Sequence, residues 1–302
     1  MNRPANLDVL LRPRPPSPVR EVRDERFGRH GVRLLLKRDD LVHPELPGNK
    51  WRKLAPNLRA AVEGGFPALV TFGGAYSNHL RATAAAGRML GLPTVGVVRG
   101  DELAGRPLNE SLARCAADGM RLHFVPRSAY RRKAEPQALA RLLTEAGASD
   151  AYVVPEGGSN ALALHGCAEL GRELRGRADV VAVACGTGGT LAGLAAGLAP
   201  GQRALGVPVL KGGFLAAEIR SLQLAAFGGP AGDWSLAEGF DHGGYARVPA
   251  PLEAFAADFA ARHGLPVERI YVAKLLWALT ELTKSGAFPR GTTLTAVITG
   301  RQ

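Results

Sequence analysis

Cysteine is scarce in this 302-residue chain: only Cys115, Cys167 and Cys185 occur, far apart in sequence. They do not form the paired-cysteine pattern of a metal site. The small odd count predicts a reducing, cytoplasmic setting. So does the N-terminal stretch Met1 to Arg20, which has charges and prolines where a secretory segment needs an apolar run. Lysine is also scarce, seven of the 38 basic residues, so the net charge of +11 is mostly arginine. The arginines are scattered and no basic stripe is interleaved with aromatics. The densest basic cluster, Arg127 to Lys133, is short. A nucleic-acid surface is therefore not predicted, and the charge reads as solvated surface. The chain has no internal repeat, low-complexity tract or flexible linker. Its one long uncharged run, Val180 to Pro200, contains five glycines, with Gly186-Thr187-Gly188-Gly189 in its middle. That run is a strand, a loop and a helix rather than a membrane span.

The composition, 46% hydrophobic and 22% charged, is that of a soluble globular protein with enough chain for one large or two ordinary domains. Residues 1–30 read as irregular, then helical or turn-like. Val32–Leu36 reads as a strand and Asn49–Gly64 as a helix. A regular alternation follows. Strands are expected at Ala68–Phe72, Thr94–Val98 and Arg121–Val125, and helices at Asn78–Leu90, Leu108–Asp118 and Pro136–Ala146. Tyr152–Val154 opens a second block, with a helix after Asn160 and a strand from Val180. Beyond these come the helix Leu191–Leu198, the strand Leu205–Leu210, the helices Leu215–Ala226, Ala250–Arg262 and Leu275–Ser285, and a last strand Leu294–Ile298. Short apolar strands each followed by an amphipathic helix imply βα units on parallel sheets.

Two stretches carry chemistry. In Gly48-Asn49-Lys50-Trp51-Arg52-Lys53, Lys50 follows a Pro47-Gly48 loop at the start of a helix whose apolar positions are Trp51, Leu54, Leu58, Ala61 and Val62. The positive end of a helix disfavours a cation, so the Lys50 amine is easier to deprotonate than a surface lysine. That suits a Schiff-base lysine, which attacks as the neutral amine. In the second stretch, Gly186, Thr187, Gly188, Gly189 and Thr190 form a strand-to-helix turn. Its backbone N–H groups and threonine hydroxyl make an anion cup. A dinucleotide fingerprint fits poorly, because its third glycine would fall on Leu191, and no Gly-Lys-Ser/Thr follows for a nucleotide-binding loop. A lysine for an imine and a cup for a phosphate together suggest pyridoxal phosphate. A positive field also suits an anionic cofactor and a carboxylate substrate.

Lys37-Arg38-Asp39-Asp40-Leu41, followed by Gly48-Asn49-Lys50, Arg52-Lys53-Leu54, resembles the 1-aminocyclopropane-1-carboxylate deaminase and D-cysteine desulfhydrase family. The likeness runs from about residue 15 to the C-terminus. Ser77-Asn78-His79, Pro155-Glu156-Gly157-Gly158-Ser159-Asn160 and Gly186–Thr190 match further family signatures in order. The resemblance implies an α/β fold with two open, twisted, mostly parallel sheets flanked by helices, the pyridoxal-phosphate fold of the tryptophan-synthase-β type. It implies a large cofactor domain, residues 1–51 and 151–302, and a small inserted domain, residues 52–150, with the cofactor in the cleft between them. It further implies a homodimer acting on a small amino acid.

Site roles follow from the same likeness. Lys50 carries the cofactor, and Asn78 addresses its phenolic oxygen. Ser77 and the amides of its turn take the substrate carboxylate, with His79 beside them. Ser77 is equally placed to cap a helix, and His79 to be a packed histidine. Tyr271 and Tyr245 are implied in substrate proton transfer or orientation; a buried hydrogen-bonding role is the alternative for both. The chain departs from the family in two places. Val272 stands where members have a polar residue addressing the pyridine nitrogen, and the C-terminal turn is Thr299-Gly300-Arg301 rather than Thr-Gly-Gly. The hydroxyl of Thr299 is the nearest substitute partner. The expected activity is a lyase favouring β-elimination, as from D-cysteine, to a 2-oxo acid and ammonia. The alternatives are 1-aminocyclopropane-1-carboxylate deamination and, because of Val272, a pyridoxal-phosphate-binding protein without turnover.

Overall fold

The computed structural model describes residues 7–11, 16–46 and 48–300. Pro47 and Arg301, which figure in two of the motifs above, and most of the proline-rich stretch before Pro16 lie outside the described residues. In chain order the elements are α1 (Leu7–Leu10), β1 (Val19–Val22), α2 (Glu25–Gly28), β2 (Arg33–Lys37), α3 (Asn49–Glu63), β3 (Leu69–Gly73) and α4 (Asn78–Leu90). There follow β4 (Thr94–Arg99), α5 (Glu110–Ala117), β5 (Met120–Val125), α6 (Arg127–Arg131), α7 (Pro136–Glu145) and β6 (Tyr152–Val154). The remainder is α8 (Ala161–Glu173), β7 (Val180–Cys185), α9 (Gly189–Gly197), β8 (Arg203–Pro208), α10 (Leu215–Phe227), β9 (Asp233–Leu236), α11 (Ala250–His263), α12 (Val272–Lys284) and β10 (Thr293–Val297).

The chain divides into two compact units, Met1–Arg12 with Leu54–Ser159, and Pro13–Lys53 with Asn160–Gln302. The first of these is the smaller unit. That unit holds a four-stranded sheet of order β5-β4-β3-β6, parallel throughout. Val70, Val95 and Val97 pack with Tyr130 and Leu142 in one cluster. Leu80, Ala84, Leu112 and Met120 form another.

The larger unit holds a six-stranded sheet of order β1-β2-β10-β7-β8-β9. Among the described residues only the β1–β2 pair is antiparallel. Successive residues of a strand face opposite ways, and β7 shows the consequence. Val180, Ala182 and Ala184 join a core with Leu252, Phe259, Leu275 and Leu279 from α11 and α12. Val181, Val183 and Cys185 join one with Leu164, Leu191, Leu194 and Ile219 from α8, α9 and α10. A strand covered on both faces reads as an unbroken apolar run, which is why Val180 to Cys185 resembled a membrane segment in outline. Among the described residues no helix is long and apolar enough to cross a membrane. The three cysteines are buried and unbridged.

Two edge strands were absent from the sequence expectation. Val19–Val22 lies in the stretch read as irregular, and Asp233–Leu236 in an unassigned one. An edge strand buries little of itself: Arg20 and Glu21 are exposed in β1, and Asp233 in β9. Neither therefore carries the apolar alternation that marks a strand. Helix α12 also begins at Val272, three residues before the expected Leu275. The Glu268 carboxylate accepts from the N–H groups of Ile270, Tyr271 and Val272 at 2.8, 2.7 and 3.2 Å, starting the helix with an acid at its positive end.

The pairing of α8 with α9 is set by glycine. A Cβ built on Gly193 would lie 2.4 Å from the Leu164 carbonyl oxygen, and one on Gly197 2.0 Å from that of Ala168. Both obstacles are backbone, so neither can swing aside. Gly197→Ala is expected to lower stability by about 1–3 kcal/mol through overpacking. Gly105→Ala, where nothing lies within 4 Å, should stay within about 0.5 kcal/mol. Urea unfolding of the two variants checks the difference.

Candidate functional site

In the larger unit, β2, β10 and β7 are neighbouring parallel strands in register, with Leu294 opposite both Leu34 and Val180. Their C-terminal ends therefore fall together, and the chain leaves them at Asp39, Thr299 and Gly186. In open α/β sheets such strand ends are where ligands bind.

The glycine turn after β7 becomes the N-terminus of α9. Gly188 caps that helix in the left-handed region, φ 78°, and no side chain accepts from the first turn. The opening N–H groups of a helix have no intrahelical partner. They consequently remain as donors for an anion over Gly188, Gly189 and Thr190. A Cβ on Gly188 would lie 2.7 Å from Ile219, and one on Gly186 3.3 Å from the Tyr271 hydroxyl. The Tyr271 phenol thus stands against the first residue of the turn. The Thr190 hydroxyl accepts from Asn49 Nδ2 at 2.9 Å, which leaves its own hydrogen available to donate.

Lys50 is the second residue of α3, and the start of that helix is held on two sides. Asn49 is tied to Thr190 of the turn. Gly48 has φ 66°, and a Cβ there would fall 1.7 Å from the Thr299 carbonyl oxygen. Only glycine permits that approach. Lys50 is half-buried as a residue, but its amine end is desolvated. Burial, then the nearby Lys53 ammonium, pushes its pKa down from 10.5 to about 7. Lys53, one turn on, is buried, and its Nζ donates to Thr187 Oγ1 at 3.4 Å. Burial lowers its pKa as well. The rings of Tyr245 and Tyr271 meet edge to face, centroids 6.0 Å apart.

The larger unit thus brings together Lys50, Gly186 to Thr190, Thr299, Tyr271 and Tyr245. Ser77, Asn78 and His79 belong to the smaller unit, after β3. Ser77 caps α4, its hydroxyl accepting from the N–H groups of His79 and Leu80 at 3.2 and 3.3 Å. Asn78 Oδ1 accepts from the Arg81 guanidinium, so its amide nitrogen is the group it offers a ligand. His79 is buried and hydrogen-bonded through Nε2 to Thr71 Oγ1 at 2.8 Å, the packed position foreseen as its alternative.

Asn49, Arg52 and Lys53 belong to the motif read from the sequence but were given no site role there. Two lysines three apart on a helix share a face, and that spacing was the available signal for Lys53. Arg52 is 1% exposed and binds the fully buried Asp39 through two hydrogen bonds of 2.7 Å. It also reaches Glu173 at 3.0 Å, and nothing local in the sequence marks that pairing. No group of three or more histidine, cysteine or acidic side chains able to hold a metal occurs among the described residues.

A desolvated amine of pKa about 7 beside an uncapped glycine turn fits a phosphorylated aldehyde cofactor, and the comparisons with known proteins agree. The sequence model of the pyridoxal-phosphate dependent enzymes matches residues 13–300; the chain belongs to that family. It is similar to the mitochondrial bifunctional D-cysteine desulfhydrase/1-aminocyclopropane-1-carboxylate deaminase of Arabidopsis thaliana, 36% identical over 188 residues, 56% of this chain and 45% of that protein. It is also similar to a putative 1-aminocyclopropane-1-carboxylate deaminase of Pyrococcus furiosus, 29% identical over 85% of this chain and 81% of that one. The match thus spans less than half the length of the Arabidopsis relative. A crystal structure of a 1-aminocyclopropane-1-carboxylate deaminase homologue superposes with a TM-score of 0.80, covering 99% of this chain and 95% of that one at 24% identity. The fold is shared with it.

The depressed pKa of Lys50 has a direct pH consequence. The cofactor aldehyde reacts with the neutral amine, so reattachment to cofactor-stripped protein is expected to accelerate through pH 7 and level off above it. An ordinary lysine would keep accelerating towards pH 10.5. Absorbance at the imine band, followed from pH 5.5 to 9.5, distinguishes the two.

Proposed function

We propose that this protein is a pyridoxal-phosphate-dependent lyase of small amino acids, favouring β-elimination as a D-cysteine desulfhydrase does. D-cysteine and water would give a 2-oxo acid, ammonia and hydrogen sulfide. The observation that carries the reading is the Lys50 amine, poised near neutral pH on a helix start tied by Asn49 to Thr190 of the glycine turn. The names of the matched relatives supply the substrate class. The reading takes the protein as a homodimer.

Lys50 is the residue that would hold the cofactor, with the amides of Gly186 to Gly189 and the Thr190 hydroxyl on its phosphate. Bound there, the cofactor supplies an electron sink for the pair left when a bond to the substrate α carbon breaks. The rest is the work of side chains. Lys50, half neutral near pH 7, can take the α proton and return one. Within the smaller unit, Ser77 keeps a hydroxyl hydrogen and Asn78 an amide nitrogen, the two groups of that turn able to donate to a ligand. The Tyr271 hydroxyl, against Gly186, is suited to protonate the departing β group, and Tyr245 braces its ring.

The preference for elimination rests on which residues would face the pyridine nitrogen of a bound cofactor. Val272 is fully buried in the apolar core and offers nothing. The Glu268 carboxylate is occupied by three backbone amides. Thr299, 9% exposed, would then be the neutral partner. A neutral partner makes a shallower electron sink than a carboxylate. Elimination tolerates that, because a good leaving group departs as the proton is removed; opening a cyclopropane ring has no such help.

Borohydride reduction followed by peptide mass spectrometry should place the adduct on Lys50; an adduct on Lys53 refutes the assignment. The kcat/KM values for D-cysteine and β-chloro-D-alanine should exceed that for 1-aminocyclopropane-1-carboxylate on one preparation, and comparable turnover of the cyclopropane would refute the preference. Tyr271→Phe is expected to cost roughly 10²–10⁴-fold in rate with an unchanged melting temperature. Thr190→Val, which loses a hydrogen bond to a charged group worth about 1.5–3 kcal/mol, should weaken cofactor retention in dialysis about tenfold or more.

A further inference from the structure

The loop between β9 and α11 is held in an uncommon conformation. His242 and Ala246 have φ of 53° and 59°, and Gly243 and Gly244 between them 94° and 117°. Tyr245 sits inside this run of left-handed residues. Side chains with a Cβ avoid that region, so the surroundings must impose it on His242 and Ala246. The loop's own bonds are short-range: Gly243 N–H donates to Asp241 Oδ1, Gly244 N–H to the Asp241 carbonyl and Arg247 N–H to the Gly244 carbonyl.

The His242 ring meets that of Trp277 edge to face, centroids 5.4 Å apart, and a long-range hydrogen-bonding group also holds the loop. Lys274, in the first turn of α12, is 0% exposed. Its Nζ donates to the carbonyl oxygens of Asp241 and Gly244, each at 2.8 Å. A buried cation at the positive end of a helix is doubly disfavoured, and an apolar side chain would pack there at least as well. What a lysine does that an apolar residue cannot is draw together two carbonyls three residues apart, closing the loop directly before Tyr245. Tyr271, whose ring meets that of Tyr245, lies three residues before Lys274 at the start of the same helix. One helix end therefore carries one tyrosine and anchors the loop bearing the other.

We propose that Lys274 is a positioning residue: by clamping the carbonyls of Asp241 and Gly244 it holds Tyr245 against Tyr271 in the geometry used for turnover. The proposal rests on the roles given above to the two tyrosines.

The test is a kinetic cycle on the cofactor-loaded enzyme with Lys274→Met, Tyr245→Leu (which removes the bracing ring) and the double variant, assayed with D-cysteine. Misplacement of a group at the reacting centre costs roughly 10²-fold, so Lys274→Met should lower kcat on that scale with KM little changed. If Lys274 acts through Tyr245, the double variant falls no more than about twofold below the slower single variant. Adding Ala246→Gly, which relieves the left-handed strain, should restore part of the lost rate. A second readout is independent of activity: trypsin should cut after the exposed Arg247 faster in Lys274→Met than in wild type. If Lys274→Met does not fold, Lys274→Gln, which keeps a shorter donor, takes its place in both measurements. Losses that multiply in the double variant overturn the proposal, as does unchanged cutting at Arg247 or a Tyr245→Leu variant with full activity. Failure of the functional reading looks different, because wild type then turns over no substrate of the panel. The tryptic comparison would then decide alone, faster cutting supporting the clamp and equal cutting refuting it.

Discussion

The paired hydrogen bonds between Arg52 and Asp39 are the constraint on which the candidate site depends. Both groups are removed from water, and each ion alone would be costly to bury. The pair is tolerable because the guanidinium fork matches the carboxylate and the remaining valences are filled. Glu173, from the end of α8, takes two further Arg52 hydrogens and the Lys37 ammonium. The Ser17 hydroxyl donates to Asp39 and the Ser17 carbonyl accepts from Lys37. Burial works against the Arg52 charge, and the two carboxylates outweigh it, holding its pKa above the ordinary value. Net stabilisation by such a cluster is small; removing one partner strands a buried charge and costs about 3–5 kcal/mol.

The cluster's importance lies in what it joins. Asp39 follows β2, and its backbone carbonyl accepts from Gly48 N–H at 3.0 Å, while Asp40 N–H donates to the Ile298 carbonyl beyond β10. Arg52 is two residues after Lys50, so the pair clamps the first turn of α3 to the ends of two central strands. Asn49 and the contact of Gly48 with Thr299 complete the fixation. The Lys50 amine can then stay desolvated beside Lys53 without the helix end relaxing toward water, and that desolvation brings its pKa near 7.

Strain is distributed accordingly. The glycines of the cup, of Gly48 and of the α8–α9 contact meet backbone demands at no steric cost. The His242 to Ala246 loop meets such demands with two residues that have a Cβ, and there a buried lysine supplies the restraint. Two of the buried cations, Arg52 and Lys274, stand in the first turns of the helices that bear Lys50 and Tyr271. An ion is retained in each place where backbone carbonyls or carboxylates from distant segments must converge.

Local pattern was enough for much of this. The alternation of short apolar strands with amphipathic helices specified the α/β class and parallel sheets, because a strand buried on both faces and a helix buried on one leave distinct periodicities. Gly188 was recognisable as part of a turn, and Lys50 as a lysine at a helix start, from their immediate neighbours. The edge strands were not legible, since half-exposed backbone pairing leaves no apolar signature. Nor were the partners of Arg52, 13 and 121 residues away, or those of Lys274, 30 and 33 residues away. Arginine and lysine carry no mark that separates a solvated side chain from a buried one. Only the folding of β2, β10 and β7 into register brings Asp39, Thr299 and the glycine turn to one edge, and only that convergence decides which charges lose their water.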